Sequence, residues 1–239
     1  MSPLPPAEQR PPVLANERFQ AHADQLIGYD TEEIFTYIYR ANLWGSPESE
    51  SGVGSELAAT AVLRAELPRL LRRYGVRSLL DLPCGDFGWL SQVDLSGIDY
   101  TGADIVPDIV VRNTERYRAP NRRFVRLNLN RDPLPRADLV LCRDCLVHLR
   151  YAQIFAAFAN LRRSGSTYLL ATTFVELDAN AEIDTGDWRP LNLCLPPFAL
   201  PKPLAVIVED CTEIGGAYAD KALGLWRIAD LPSRPRMAP

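Results

Sequence analysis

The sequence predicts a doubly wound α/β domain, a largely parallel sheet with helices on both faces, closed by a terminal antiparallel hairpin. Three observations carry that expectation. From Arg77 onward, short apolar runs alternate with helix-compatible stretches, the pattern of parallel strands joined by crossover connections. Successive runs end in Asp81, Asp104 and Asn128, polar groups placed where ligands bind such sheets. After Thr173 the alternation stops, and two further apolar runs flank a polar stretch with Gly215-Gly216.

Taken in order, residues 1–30 are rich in proline, alanine and polar side chains, and PLPP and RPP cannot sustain helix or sheet hydrogen bonding. They read as a mobile tail. Thr31 to Arg40 places Ile34, Tyr37 and Ile38 at helical spacing behind acids in the first turn, which suits the helix dipole. Leu43 to Glu56 is a Gly/Ser/Glu loop that ends in Ser55, a good amino-terminal cap. So long a stretch without periodicity is unusual in a compact domain unless it is functional. It reads either as an ordinary connector or as a lid hinged on Gly45, Gly52 and Gly54. Leu63, Leu67, Leu70, Leu71 and Tyr74 then form one helical stripe despite Pro68.

The candidate strands are Ser78 to Leu82, Tyr100 to Asp104, Phe124 to Leu127, Asp138 to Cys142 and Tyr168 to Thr172. All four gaps between them contain a helix-compatible stretch, among them Pro107 to Tyr117 and Tyr151 to Arg162. A Pro-rich region from Asp187 to Pro203 leads to the hairpin, Leu204 to Glu209 and Ala222 to Ile228. Residues 31–239 are thus expected to be a single domain whose amino-terminal helix and loop occupy 31–55.

Composition bounds the function. At 239 residues, 47% hydrophobic, the chain can bury a full core without disulfides or a structural metal. No apolar stretch approaches the ~18 residues that cross a bilayer, and the amino terminus has no secretory pattern. The expectation is a cytoplasmic protein without a membrane partner. Five cysteines form an odd set of free thiols. Cys142 and Cys145 alone have ligand-like spacing, and without a second pair the reading is two small buried side chains and no metal. Of the 26 basic residues only Lys202 and Lys221 are lysine. Ten arginines fall between Arg112 and Arg150, but they spread over several elements without an RNA-binding signature, and the net charge is -4. Together these argue against a nucleic-acid partner.

The chemistry concentrates at the strand ends. Asp81 runs into Leu82-Pro83-Cys84-Gly85-Asp86-Phe87-Gly88, a tight turn but not the GxGxxG of dehydrogenases, since Pro83 and Phe87 fill glycine places. Asp104 lies twenty-three residues after Asp81, placed to accept hydrogen bonds from both ribose hydroxyls of a nucleoside. Asn128 brings an amide suited to an adenine edge. The fourth strand ends in Cys142-Arg143-Asp144 and is expected to flow into a helix carrying His148. Each assignment has a plain alternative: Asp81 binding its own turn, Asp104 capping the next helix, Asn128 an ordinary turn residue.

These residues resemble class I S-adenosylmethionine-dependent methyltransferases over roughly 79–173. More narrowly, WGSPESESGVGSE, DLPCGDFGWL, CRDCLVHL and TGDWRPLNL resemble a bacterial branch of that family. The resemblance implies a Rossmann-like seven-stranded sheet and S-adenosyl-L-methionine as cofactor. It places Asp81, Pro83, Cys84 and Gly85 around the methionine part and Asp104 on the ribose. Asn128 falls on the adenine, with Ile105 and Leu129 packing on the base. Cys142, Trp44 and Ser55 complete the expected cofactor contacts, the last two from a lid that excludes water. Phe87 is bulky where the family has glycine, so the pocket should differ there. The Asp-Asn pair of metal-dependent relatives is missing after Thr172-Thr173-Phe174, as is an Asn-Pro-Pro-Tyr-like motif after Cys142.

A methyltransferase must hold its acceptor in line with the methyl group and remove a proton, and proximity alone can supply ~7 to 11 kcal/mol. With His22 in the presumed tail, His148 is the candidate histidine base. Asp144, at spacing i, i+4, either orients it or is the base itself. Arg143 is the third catalytic candidate, set to meet an anionic or hydroxylated acceptor. Asp187, Trp188 and Arg189, an aromatic between an acid and a base, suit a sugar ring or small polar metabolite. The expected reaction is methyl transfer to a small-molecule or glycan hydroxyl. Alternatives are N-methylation of a small molecule, peptide or protein, and, in another class, a non-catalytic cofactor-binding subunit.

Overall fold

A computed structural model of the chain describes residues 4–235. Seven strands form one sheet: β1 (Ser78–Asp81), β2 (Asp99–Asp104), β3 (Arg122–Arg126), β4 (Leu139–Cys142), β5 (Tyr168–Phe174), β6 (Ala205–Val208) and β7 (Lys221–Arg227). Their order is β3-β2-β1-β4-β5-β7-β6, with β7 antiparallel to both of its neighbours. The doubly wound sheet and the terminal hairpin are both present. Strand order reverses between β1 and β4, so a crevice opens at their carboxyl ends.

Side chains alternate across the sheet with the period of two. Leu79, Leu139 and Leu141 join one core layer with Leu63, Leu67, Leu70 and Leu71 of helix α3 (Ala61–Arg73). Leu80 and Val140 face the other, with Ile154, Phe158 and Leu161 of helix α5 (Tyr151–Arg163). Every residue of β4 is buried, which is why its sequence is continuously apolar.

Only two of the four crossovers contain an α-helix: α4 (Pro107–Tyr117) between β2 and β3, and α5 between β4 and β5. The β1–β2 connection holds only a short 3-10 turn, Leu90–Gln92. The β3–β4 connection is irregular because Pro133 and Pro135 lack the donors a helix needs. Phe87 adopts φ +58° and is buried against Tyr100, Tyr117 and Phe124, with ring centroids 4.9, 5.1 and 5.3 Å away. Its bulk therefore enters the core, and the cavity is not narrowed by it.

Residues 4–30 depart from the mobile-tail expectation. Leu14–His22 forms helix α1, and Val13, Phe19 and Leu26 are buried. Phe19 and Leu26 pack with Ile34 and Ile38 of helix α2 (Thr31–Arg40). The anchor is Arg10, whose guanidinium pairs with Asp220 at 2.6 Å, the two side chains 1% and 0% exposed. Tyr218 donates its hydroxyl to the Pro11 carbonyl at 2.6 Å. These partners lie some two hundred residues apart, so no local periodicity could announce them. No helix among the described residues is long and apolar enough to cross a membrane.

Removing one partner of a buried ion pair costs about 3 to 5 kcal/mol, because the other charge stays buried and unpaired. Arg10→Leu should therefore release the amino-terminal segment. Limited proteolysis should cut the variant within residues 4–26 much faster than the wild type; equal rates would show that Arg10 does not hold the segment down.

Candidate functional site

A cavity lies in the crevice at the carboxyl ends of β1, β2 and β4. Its floor is the turn after β1. Cys84 donates its backbone N–H to the Ala103 carbonyl at 2.8 Å, and Gly85 turns with φ +51°. The Gly85 N–H donates to Asp104 Oδ2 at 3.1 Å and the Val106 N–H to Asp104 Oδ1 at 3.0 Å. Asp104 thus ties the turn after β1 to the end of β2. A carboxylate oxygen has two lone pairs, so each can accept one more hydrogen bond. A side chain at Gly85 would collide with Ser51, whose Oγ stands 2.2 Å from an ideal Cβ position.

Burial pushes the Asp104 carboxyl up to about 6 against backbone hydrogen bonds from Val106, Gly85 and Ile105. Burial also pushes Asp81 up to about 7, although the Tyr100 hydroxyl donates to it at 2.6 Å. Asp81, Pro83, Cys84, Ile105, Asn128 and Leu129 all line the cavity. Asn128 spends one oxygen lone pair on the Asn130 N–H at 2.9 Å, so it is a turn residue as well as a wall. Cys142 does not line the cavity; it is fully buried in the core layer facing α5.

The loop between α2 and α3 lies across this crevice. Ser51 Oγ accepts the Asp86 N–H at 3.0 Å, and Ser49 donates to Asp86 Oδ2 at 2.6 Å. Glu50 pairs with Arg112. Ser55 is buried at the cavity wall, and the Trp44 ring lies over His148 with centroids 5.1 Å apart.

The second half of the cavity is built on charge. Arg143, buried at the end of β4, donates to Glu209 Oε2 and to the Gly54 carbonyl, each at 2.7 Å. Its remaining edge meets Asp144 Oδ2 at 3.2 Å. With its donors so engaged, it fastens the loop to the sheet and has little left for an acceptor. Asp144 accepts from Lys221 Nζ at 2.7 Å. Burial opposes its ionisation, but Arg143 and Lys221 outweigh burial and hold it well below the usual carboxylate range. So strongly paired an anion is a poor base.

His148 is not on the expected helix. It ends a 3-10 turn, Leu146–His148, and α5 begins only at Tyr151. The i, i+4 contact with Asp144 is not formed, and the His148 Nδ1 meets the Asp187 carbonyl at 2.8 Å. A carbonyl can only accept, so Nδ1 carries the proton and Nε2 keeps its lone pair. Burial pushes the imidazole down to about 4, so it is neutral at pH 7.

The structure gives Asp187 and Arg189 other work. Asp187 accepts from Asn16 at 2.9 Å and Gln20 at 2.7 Å, both on α1. Arg189 donates to the Ala181, Leu146 and Leu149 carbonyls and shapes the backbone under His148. Only Trp188 of this trio lines the cavity, packed edge-on against Phe174 and Tyr218. The same wall includes Val13, Leu14, Glu213 and Lys221, none singled out from sequence. Lys221 did carry a signal, as one of two lysines in an arginine-rich chain. Among the described residues no group of three or more His, Cys, Asp or Glu is placed to hold a metal.

The sequence matches no protein-family model and no curated protein. Solved structures are similar to this chain, one of them with a TM-score above 0.5. Human N-acetylserotonin methyltransferase, in complex with S-adenosylmethionine, superposes with a TM-score of 0.51 at 16% identity, covering 88% of this chain and 66% of that one. The methyltransferase domain of bacterial CtHen1 gives 0.43 at 14% identity, covering 48% of this chain and 66% of that one. Magnesium protoporphyrin IX methyltransferase from Synechocystis PCC 6803 gives 0.45 at 13% identity, over 64% and 71%. The chain thus spans just under two thirds of the human enzyme. Its fold is that of the class I S-adenosylmethionine-dependent methyltransferases.

The depressed His148 has a thermodynamic signature. Between about pH 4 and its ordinary 6.5 the unfolded chain binds a proton that the folded one does not, so this group adds stability as pH rises. Asp81 and Asp104, raised when folded, act in the opposite sense from about pH 4 to 7. The difference in thermal midpoint between wild type and His148→Gln should therefore grow in favour of wild type from about pH 4 to 6.5. A pH-independent difference would refute the buried neutral imidazole.

Proposed function

We propose that this chain is an S-adenosylmethionine-dependent methyltransferase acting on the hydroxyl of a small molecule or sugar. The observation that carries the reading is Asp104. Its carboxylate stands at the end of β2 on the cavity wall, clamped by the Gly85 and Val106 amides, with a lone pair on each oxygen to spare. That is what two vicinal ribose hydroxyls require. The residues fit the cofactor elsewhere too, with Ile105 and Leu129 as apolar walls for a base.

The bound sulfonium supplies an electrophilic methyl group; the chain supplies everything else. The Trp44 to Ser55 loop covers the crevice and excludes water, which strengthens the electrostatic interactions inside. His148, neutral and with its tautomer set by the Asp187 carbonyl, offers Nε2 to the acceptor proton. The ionised Asp144 nearby favours the imidazolium that results. A base so placed contributes ~10²- to 10⁴-fold in rate. Trp188 and Tyr218 furnish flat walls for the acceptor.

Calorimetric titration of the purified protein with S-adenosylmethionine, S-adenosylhomocysteine and NAD tests the reading. The first two should bind and NAD should not. Hydrogen bonds to a charged group are worth about 1.5 to 3 kcal/mol each, so Asp104→Ala should weaken binding at least about tenfold. No binding of the adenosyl compounds, or a preference for NAD, would overturn it.

A further inference from the structure

The acceptor half of the cavity holds an uneven set of charges. Arg143 is matched by Glu209 at 2.7 Å, and Lys221 by Asp144 at 2.7 Å. A third carboxylate, Glu213, lines the same cavity. Among the described residues it has no ion pair and accepts no hydrogen bond; Lys221, Arg143, Asp144 and Glu209 act on it only at longer range. Its position is close to the others: an ideal Cβ on Gly54 would lie 3.5 Å from Glu213 Oε1, 3.5 Å from Asp144 Oδ2 and 3.2 Å from Lys221 Nζ. With both cations matched, this cluster of five charges keeps one carboxylate in surplus.

Aromatic rings complete the surroundings. Trp188 and Tyr218 stand edge to face at 5.0 Å, Phe174 meets both at 5.9 Å, and Trp44 covers His148 across the cavity. Ring faces attract cations, more strongly when water is excluded. A half-buried carboxylate with no partner is costly, and burial raises its pKa. A cation arriving from the ligand relieves that cost. An anion finds no comparable partner, because both cationic side chains already hold carboxylates.

We propose that the methyl acceptor carries an organic cation, a protonated amine, that pairs with Glu213 beside the Trp188 and Tyr218 rings while the hydroxyl to be methylated faces His148. This deepens the methyltransferase reading and rests on it. It narrows the acceptor to an amino alcohol, aminophenol or amino sugar.

The test uses the full chain saturated with S-adenosylhomocysteine and two series of calorimetric probes. One series is tyramine, N-acetyltyramine and para-hydroxyphenylpropionate; the other is glucosamine, N-acetylglucosamine and glucuronate. In at least one series the amine should bind about tenfold or more tighter than its neutral and acidic counterparts. Glu213→Gln, nearly isosteric, should abolish that preference and leave S-adenosylhomocysteine affinity unchanged. The inference fails if the neutral or acidic probes bind as well as the amine, if no probe binds, or if the preference survives in the variant. It also fails if Glu213→Gln weakens S-adenosylmethionine but not S-adenosylhomocysteine, since Glu213 would then face the sulfonium. Failure of the wild type to bind S-adenosylhomocysteine would overturn the methyltransferase reading instead.

Discussion

The buried guanidinium of Arg143 is the joint on which the upper half of the molecule depends. It leaves the end of β4, grips Glu209 just past β6, takes the Gly54 carbonyl of the covering loop and touches Asp144. Its plane also lies over the Trp89 ring at 5.5 Å. Those contacts join the parallel half of the sheet, the hairpin and the loop across the crevice. Arginine suits this because its fixed fork of donors can serve several acceptors at once. Where the sequence suggests a group that meets the acceptor, the structure makes it the fastening that holds the loop to the sheet.

A second tie, Asp104, does the same for the lower half. By accepting amides from the turn after β1 and from the start of α4, it fixes a glycine turn that would otherwise be free to move. Ser51 then packs directly over Gly85. Loop, turn and strand end are thus mutually constrained, and one carboxylate both organises the wall and presents its remaining lone pairs.

The sheet was legible because its pattern is local: buried apolar runs of strand length, polar strand ends, and a hairpin marked by paired glycines. The positions of Asp81, Gly85, Asp104 and Asn128 followed from strand ends alone. No α-helix forms after β1 or β3, because helix-compatible composition does not resist Phe87 at positive φ or two prolines in three residues. The site's polar half was less legible. Asp187 and Arg189 look like ligand groups in one dimension, yet their partners are an amino-terminal helix and three backbone carbonyls. The i, i+4 spacing of Asp144 and His148 would pair them only on a helix, and the turn after β4 is 3-10. The docked amino terminus was hidden because Arg10 and Asp220 meet only in the finished fold.

The charges at the Arg143 end of the cavity are too numerous to be explained by stability. A buried ion pair is often no better than well-packed apolar side chains of the same volume, and this chain packs apolar cores readily on both faces of its sheet. Retaining Arg143, Asp144, Glu209 and Lys221 at one end of the cavity makes structural sense as a rigid frame that fixes the loop and sets the field. A frame alone would be balanced. Glu213 is the charge the frame does not need, and it stands among the aromatic rings that a bound molecule would touch. On the reading proposed above, the neutral His148 and the surplus carboxylate make complementary demands on one ligand: a group that gives up a proton at one end and carries a positive charge at the other.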